Sequence, residues 1–298
     1  MVTRTLPKVV LFLAAALLLG ACATMTRLAY SNAALAYRNL PPMLTWMVDE
    51  YVELSGGQKD WVRDRVDRLM EWHRTRELPE YRRFLERVLA ETNEPFTVAE
   101  IDAAYRDLRR HYRLLVEQAL PDIADFMMQL DSVQVAQMEK KFATDNRKFV
   151  RESVKGTPDE RRERRVKRFV QHLEGWLGDV TREQRELVER FYADIPDLVE
   201  ERLADRKVRH LETLEMIRAR GKREETIARL RRMLLQPDTW RRPEYLRKLE
   251  DRDQRFFQMF AALSATFTPA QRAHLQRRIR GYMQDITTLT AAKAGGNG

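Results

Sequence analysis

Apolar side chains recur at helical spacing through most of this chain. Ile101, Tyr105, Leu108, Tyr112 and Leu115 fall four and three residues apart, which places them on one helix face with Arg106, Arg109, Arg110 and Arg113 around it. Leu246, Leu249, Phe256, Phe260, Leu263 and Phe267 form a second stripe of the same kind. No run alternates strictly as a half-buried strand would, and no Asn-Gly or Asp-Gly pair joins two apolar runs. The pattern predicts an all-α fold, an elongated bundle of long amphipathic helices. Breaks are expected near Pro79, Pro95, Pro121, Gly156-Thr157-Pro158, Pro196, Gly221, Pro237 and Pro243, and Pro41-Pro42 should stop any helix before Met43.

One kind of helix start repeats. Ser55 with Gln58, Thr181 with Gln184 and Thr268 with Gln271 each set a hydroxyl three residues before a glutamine, behind an apolar residue. Asp131 with Gln134 is a fourth version. This is the spacing of the capping box, in which the cap oxygen accepts from the N3 amide and the N3 side chain accepts from the cap's own N–H. Two further boxes use glutamate, Thr97 with Glu100 and Thr157 with Glu160. The glutamines lie 76 positions apart in the first pair and 87 in the second, which predicts two related halves carrying two boxes each. The basic run Arg161-Arg162-Glu163-Arg164-Arg165 lies between them.

The first 22 residues carry a different pattern. Arg4 and Lys8 precede an apolar run from Val9 to Leu19, which is about half of the ~20 residues a spanning helix needs. It closes on Leu19-Gly20-Ala21-Cys22, small residues of the kind a signal peptidase accepts. This resembles the lipobox of bacterial lipoproteins, in which the cysteine is lipidated and becomes the mature N-terminus. Acyl chains on Cys22 would contribute ~0.8 kcal/mol per buried methylene, so release from the membrane should be negligible. Ala23, rather than Asp, after the cut implies by resemblance the inner leaflet of the outer membrane, with the body in the periplasm.

Cys22 is the only cysteine, so lipidation would leave no thiol and no disulfide in the mature protein. Charged residues reach 33% with only 11 Gly and 11 Pro in 298 residues, as expected of long helices with solvated faces. The formal charge is +9. Export argues against nucleic acid and leaves envelope proteins or anionic lipid head groups as partners. The expected organisation is a signal peptide over 1–21, a lipidated N-terminus and short tether over 22–42, one helical lobe over 43–155, a second over 156–290, and a disordered tail over 291–298.

The chemistry of known sites is missing. His73, His111, His172, His210 and His274 form no HExxH and no close pair, and there is no nucleophile elbow, P-loop or dinucleotide fingerprint. No enzyme, metal or cofactor is expected. Met127-Met128 with Phe126, and Phe256-Phe257 with Met259-Phe260, could form a pliable client surface but read first as core, as do Trp46, Trp61 and Trp72.

The repeated boxes in an exported, arginine-rich helical chain resemble the Spy/CpxP family of periplasmic stress chaperones. The chain looks more closely like an uncharacterised group of proteobacterial lipoproteins. That likeness is carried by Trp46-Met47-Val48-Asp49-Glu50-Tyr51 before Leu54-Ser55-Gly56-Gly57-Gln58, and by Trp72-His73-Arg74 followed by Glu77-Leu78-Pro79-Glu80-Tyr81. The resemblance implies a lipid-anchored periplasmic binding protein, chaperone-like or related to envelope stress, that holds segments of envelope proteins. The alternative is an adaptor with one dedicated envelope partner.

Overall fold

The computed structural model describes residues 37–291. The expected leader over 1–21, Cys22, the stretch to residue 36 and residues 292–298 lie outside the described part. Among the described residues the fold is an all-α bundle without strands. Its helices are α1 (Leu40–Val52), α2 (Gly56–Trp72), α3 (Leu78–Glu91), α4 (Val98–Gln129), α5 (Ser132–Phe149), α6 (Pro158–Leu177), α7 (Arg182–Asp194), α8 (Val199–Ala219), α9 (Arg223–Leu235), α10 (Pro243–Ala265) and α11 (Pro269–Ala291).

Two predicted breaks do not occur. Pro121 sits inside α4, a single helix of 32 residues and about 48 Å. Pro79 lies in the first turn of α3, which continues from α2 through a wide π-helical segment, His73–Glu77. The Leu78 amide reaches back five residues to the His73 carbonyl. Widening the helix immediately before Pro79 lets the chain pass a residue that has no N–H to donate. Pro41 and Pro42 open α1 rather than preceding it, since a first turn needs no intrahelical donors there. Packing begins before Met43: Leu40 is buried, and the Tyr37 hydroxyl donates to the Met70 carbonyl at 3.2 Å.

The two halves share one packing scheme. In the first, α1 packs on α2 and α5, and α2 on α4; in the second, α6 packs on α7 and α11, and α7 on α10. Two apolar cores result. Val52, Leu115, Leu120, Ala124, Leu130 and Met138 centre the first, and Leu214 and Ile217 of α8 with Leu230 and Leu235 of α9 complete it. Val166, Val170, Leu173, Val188, Phe191, Leu263 and Phe267 make the second. Each fully buried side chain of this size contributes about 1.5–3 kcal/mol.

The halves are interlocked. The link between α3 and α4 reaches into the second core, where Phe96 stacks on Phe260 and its N–H donates to the Ser264 hydroxyl at 2.9 Å. Arg272 of α11 ties that link down by donating to the carbonyls of Thr92, Glu94 and Ser264 at 2.9–3.1 Å. Helix α11 also lies along α3, with Ile286 and Leu289 against Leu78. Helix α4 is the shared spine, its C-terminal half in the first core and its N-terminal half against α10.

Candidate functional site

The four glutamine boxes meet in two pairs. The Gln58 amide donates to Gln134 Oε1 at 3.1 Å, and Gln134 returns the bond to Gln58 Oε1 at 2.7 Å. Gln184 and Gln271 make the same reciprocal pair at 2.8 and 2.9 Å. Each oxygen also accepts from its own cap N–H, of Ser55, Asp131, Thr181 or Thr268, at 3.0–3.2 Å. The cap side chains of Ser55, Asp131, Thr181 and Thr268 complete the boxes by accepting from the backbone N–H groups of the same glutamines. Three of the four amides spend their second donor on the carbonyl five residues before the partner glutamine: Gln58 on Gln129, Gln184 on Thr266 and Gln271 on Asp179. Two helix starts are thereby clamped to each other and to the helix ends in front of them.

The residue type at N3 explains which boxes pair. Glutamine carries both a donor and an acceptor, so two can face each other with every site filled. Glutamate would set acceptor against acceptor, and the boxes at Thr97–Glu100 and Thr157–Glu160 stand alone at the surface. This distinction was available in the sequence.

The two latches differ in what surrounds them. At the second, Gln184 is wholly buried, and the positions next to the pair are Arg182, Glu183, Ala265 and Ala270. The equivalent positions of the first are Gly56, Gly57, Met128 and Val133, all exposed, with Met128 at 46% and Val133 at 64%. Nothing lies within 4 Å of where either glycine's Cβ would be. The first latch therefore presents bare backbone flanked by two large apolar side chains.

Two buried polar clusters were not foreseen. His73 and Glu77 of the π-helical segment lie inside the bundle with His111 of α4. His111 Nδ1 donates to Glu77 Oε2 at 2.8 Å. Tyr37 gives its proton to the Met70 carbonyl, so it accepts from His73 Nδ1 at 3.0 Å, and Tyr81 donates to His73 Nε2 at 3.4 Å. His73 is thus held as the neutral Nδ1–H tautomer. Burial, reinforced by His111, pushes its pKa down to about 4, and burial with Arg206 and Arg209 does the same for His210. Both fold-state values lie below the ~6.5 of the unfolded chain, so stability is fully present above pH 6.5 and is lost as pH falls toward 4. For His73 alone the expected loss is on the order of 2–3 kcal/mol. Urea midpoints at pH 7.5 and 4.5 check this; His73→Gln should lose distinctly less than the parent, and equal losses would contradict it.

The second cluster lies where α4, α8 and the segment just before α10 meet. Asp205 accepts from Arg241 Nε and Nη2 at 2.8 and 2.9 Å and also from Arg209, with the Asp205 and Arg241 side chains 5% and 1% exposed. The Tyr112 hydroxyl is buried beside these arginines and has no hydrogen-bond partner among the described residues.

The methionine and phenylalanine clusters turn mostly inward. Met127, Phe257 and Met259 are buried, and Phe126 stacks on Trp61. Trp46, expected in the core, is 54% exposed, and Leu108 of the first stripe is also exposed. Among the described residues no group of three or more His, Cys, Asp or Glu could hold a metal ion, and no helix is long and apolar enough to cross a membrane.

A family model described as a family of unknown function, DUF6279, matches residues 50–246. The chain belongs to that family. The DUF6279 match takes in the whole first latch, whereas Gln271 of the second lies beyond it. No curated protein and no solved structure matches.

Proposed function

We propose that this DUF6279 member is a lipid-anchored periplasmic protein that binds apolar segments of other envelope proteins at the rim of its first latch. The observation that carries this reading is the contrast between matched positions: Gly56, Gly57, Met128 and Val133 at one latch against Arg182, Glu183, Ala265 and Ala270 at the other. The same scaffold exists in a form without an apolar rim, so closing the bundle does not require one. The anchor remains the inference drawn from Leu19-Gly20-Ala21-Cys22, and with it the outer-membrane address and the likeness to periplasmic stress chaperones. Intact mass of the native protein should show an acylated Cys22 as the first residue; a retained leader or a bare thiol would refute the anchor.

The second reading is an adaptor for one dedicated partner. It is favoured by the inward turn of Met127, Phe257 and Met259, which removes the broad pliable surface a general holding activity would use. Light scattering of aggregating model clients separates the two. Suppression at stoichiometric amounts supports general holding, and no suppression, with one dominant crosslinked partner in cells, supports the adaptor. No suppression and no crosslinked partner would count against both.

A further inference from the structure

Helices α1 and α5 lie side by side, and the polar contacts between them give their register. Gln137 donates to Glu53 at 2.7 Å, Lys141 pairs with Glu50 at 3.2 Å, and the Tyr51 hydroxyl donates to Asp145 at 2.6 Å. Numbers rise along α5 as they fall along α1, so the two helices are antiparallel. The same register sets Trp46 level with Asp145 and Asn146, and the start of α1 near the end of α5. Both helices bury one side in the first core, through Val48 and Val52 of α1 and Val135 and Met138 of α5. Their opposite sides form one outer surface.

That surface joins a tryptophan to a row of cations. Trp46 is 54% exposed. Lys140, Thr144, Arg147 and Arg151 recur at spacings of four, three and four, which lines them up along α5 and the π-helical segment Val150–Val154 that prolongs it, with Lys148 beside them. All five are exposed. Lys140 and Lys148 make no ion pair among the described residues. Arg147 donates to the Thr144 hydroxyl at 2.8 Å, and Arg151 has only its neighbour Glu152, at 4.0 Å. The acids nearby are already taken, Glu50 by Lys141 and Glu139 by Arg218. A helix end favours cations through its dipole, but that effect sets no exposed tryptophan alongside them. An amphipathic ring beside lysine and arginine is the combination that settles at the head-group level of a bilayer, where anionic lipids attract the cations.

The path of the chain brings this surface to lipid. Tyr37 is fixed to the end of α2 by its bond to the Met70 carbonyl, and α1 begins at Leu40, about 9 Å along the helix from Trp46. A pull on the chain from Cys22 therefore acts on the end of α1 that carries the tryptophan. Apart from Val133 at the latch, Trp46 is the one large apolar side chain exposed on α1 and α5 among the described residues. A lone aromatic anchor among charges suits a fluid head-group layer better than the apolar patch of a protein.

We propose that the outer surface of α1 and α5 docks on an anionic lipid bilayer, with Trp46 at the head-group level and Lys140, Arg147, Lys148 and Arg151 against the lipid phosphates. The proposal rests on the Cys22 anchor for bringing the surface to the membrane, and not on the latch. Val133 of the latch rim lies about 27 Å along the same helix axis from Arg151, so docking leaves the rim open.

The test uses the full native protein in vesicles of phosphatidylcholine alone or of equal parts phosphatidylcholine and phosphatidylglycerol, each with acyl chains brominated near the head group to quench tryptophan. Flotation with phosphatidylcholine alone reports the anchor. A protein that stays behind there but floats with phosphatidylglycerol refutes the anchor and supports the surface. Tryptophan quenching should be stronger with phosphatidylglycerol, should lose that excess in ~1 M salt, where charges are screened within ~3 Å, and should lose it in Trp46→Phe. The triple variant Arg147→Gln, Lys148→Gln, Arg151→Gln changes exposed positions only and should keep the parent's Tm. Its phosphatidylglycerol-dependent quenching should fall at least tenfold, since each cation at an anionic surface changes affinity about fivefold. Equal quenching in the two vesicle types, or an excess that survives in the triple variant, would overturn the proposal.

Discussion

Replacing Asp205 by alanine is expected to destabilise the protein by about 3–5 kcal/mol, the cost of removing one partner from a buried ion pair. Its carboxylate takes two bonds from Arg241 and one from Arg209, and the Arg241 side chain is 1% exposed. Without it, two guanidinium groups lie close together beside Tyr112, whose hydroxyl already has no partner among the described residues. Most of the loss belongs to the stranded arginines rather than to the missing attraction. The double variant Asp205→Leu, Arg241→Met should therefore recover a large part of it, because apolar side chains of similar volume replace a buried pair at little net cost. Denaturant unfolding of the parent, single and double variants measures both effects. A single variant within 1 kcal/mol of the parent would contradict the account of this cluster.

The second large effect is expected for Gln184→Glu. The change keeps the size of the side chain and the acceptor of the capping box, and removes only the amide donors. Those donors serve Gln271 Oε1 and the Thr266 carbonyl, in a pair whose Gln184 member has no exposed surface. The introduced carboxylate would face the Gln271 oxygen in a water-poor site, and the loss at neutral pH should be about 3 kcal/mol. Burial raises the pKa of such a carboxylate above its unfolded value, so the penalty should shrink as pH falls and the group takes a proton. Gln58→Glu, at the less deeply buried latch, should cost about 1 kcal/mol. Equal costs at the two latches, or a Gln184→Glu penalty that grows on acidification relative to the parent, would show that the pairs do not work as described.

Helix type, the capping boxes and the grouping of glutamines into two sets were legible because they are local: a hydroxyl and an N3 side chain three residues apart need no knowledge of the rest of the fold. The glutamine-to-glutamate distinction was equally local, since only an amide can face its own kind. The buried clusters were not legible, because their partners come from distant helices. Asp205 and Arg209 have the spacing of an ordinary solvated i,i+4 pair, and nothing local marks Arg241, 36 residues on, as the buried partner of Asp205. Glu77 meets His111, and His73 meets Tyr37 and Tyr81, from a π-helical segment that leaves no mark in the sequence but a proline that should have broken the helix. Pro121 misled for the same kind of reason: packing of α4 into the first core and against α10 outweighs one missing hydrogen bond. Trp46 erred in the other direction, since size alone does not bury a side chain that no neighbouring helix covers.

The most direct test of the binding account is site-specific photocrosslinking in living cells, with the photoreactive residue placed at Val133 of the first latch and, in parallel, at Ala270 of the second. The account predicts strong adducts to one or more envelope proteins from position 133 and none from position 270. Adducts of equal strength from both positions, or none from position 133 in folded, correctly exported protein, would contradict it.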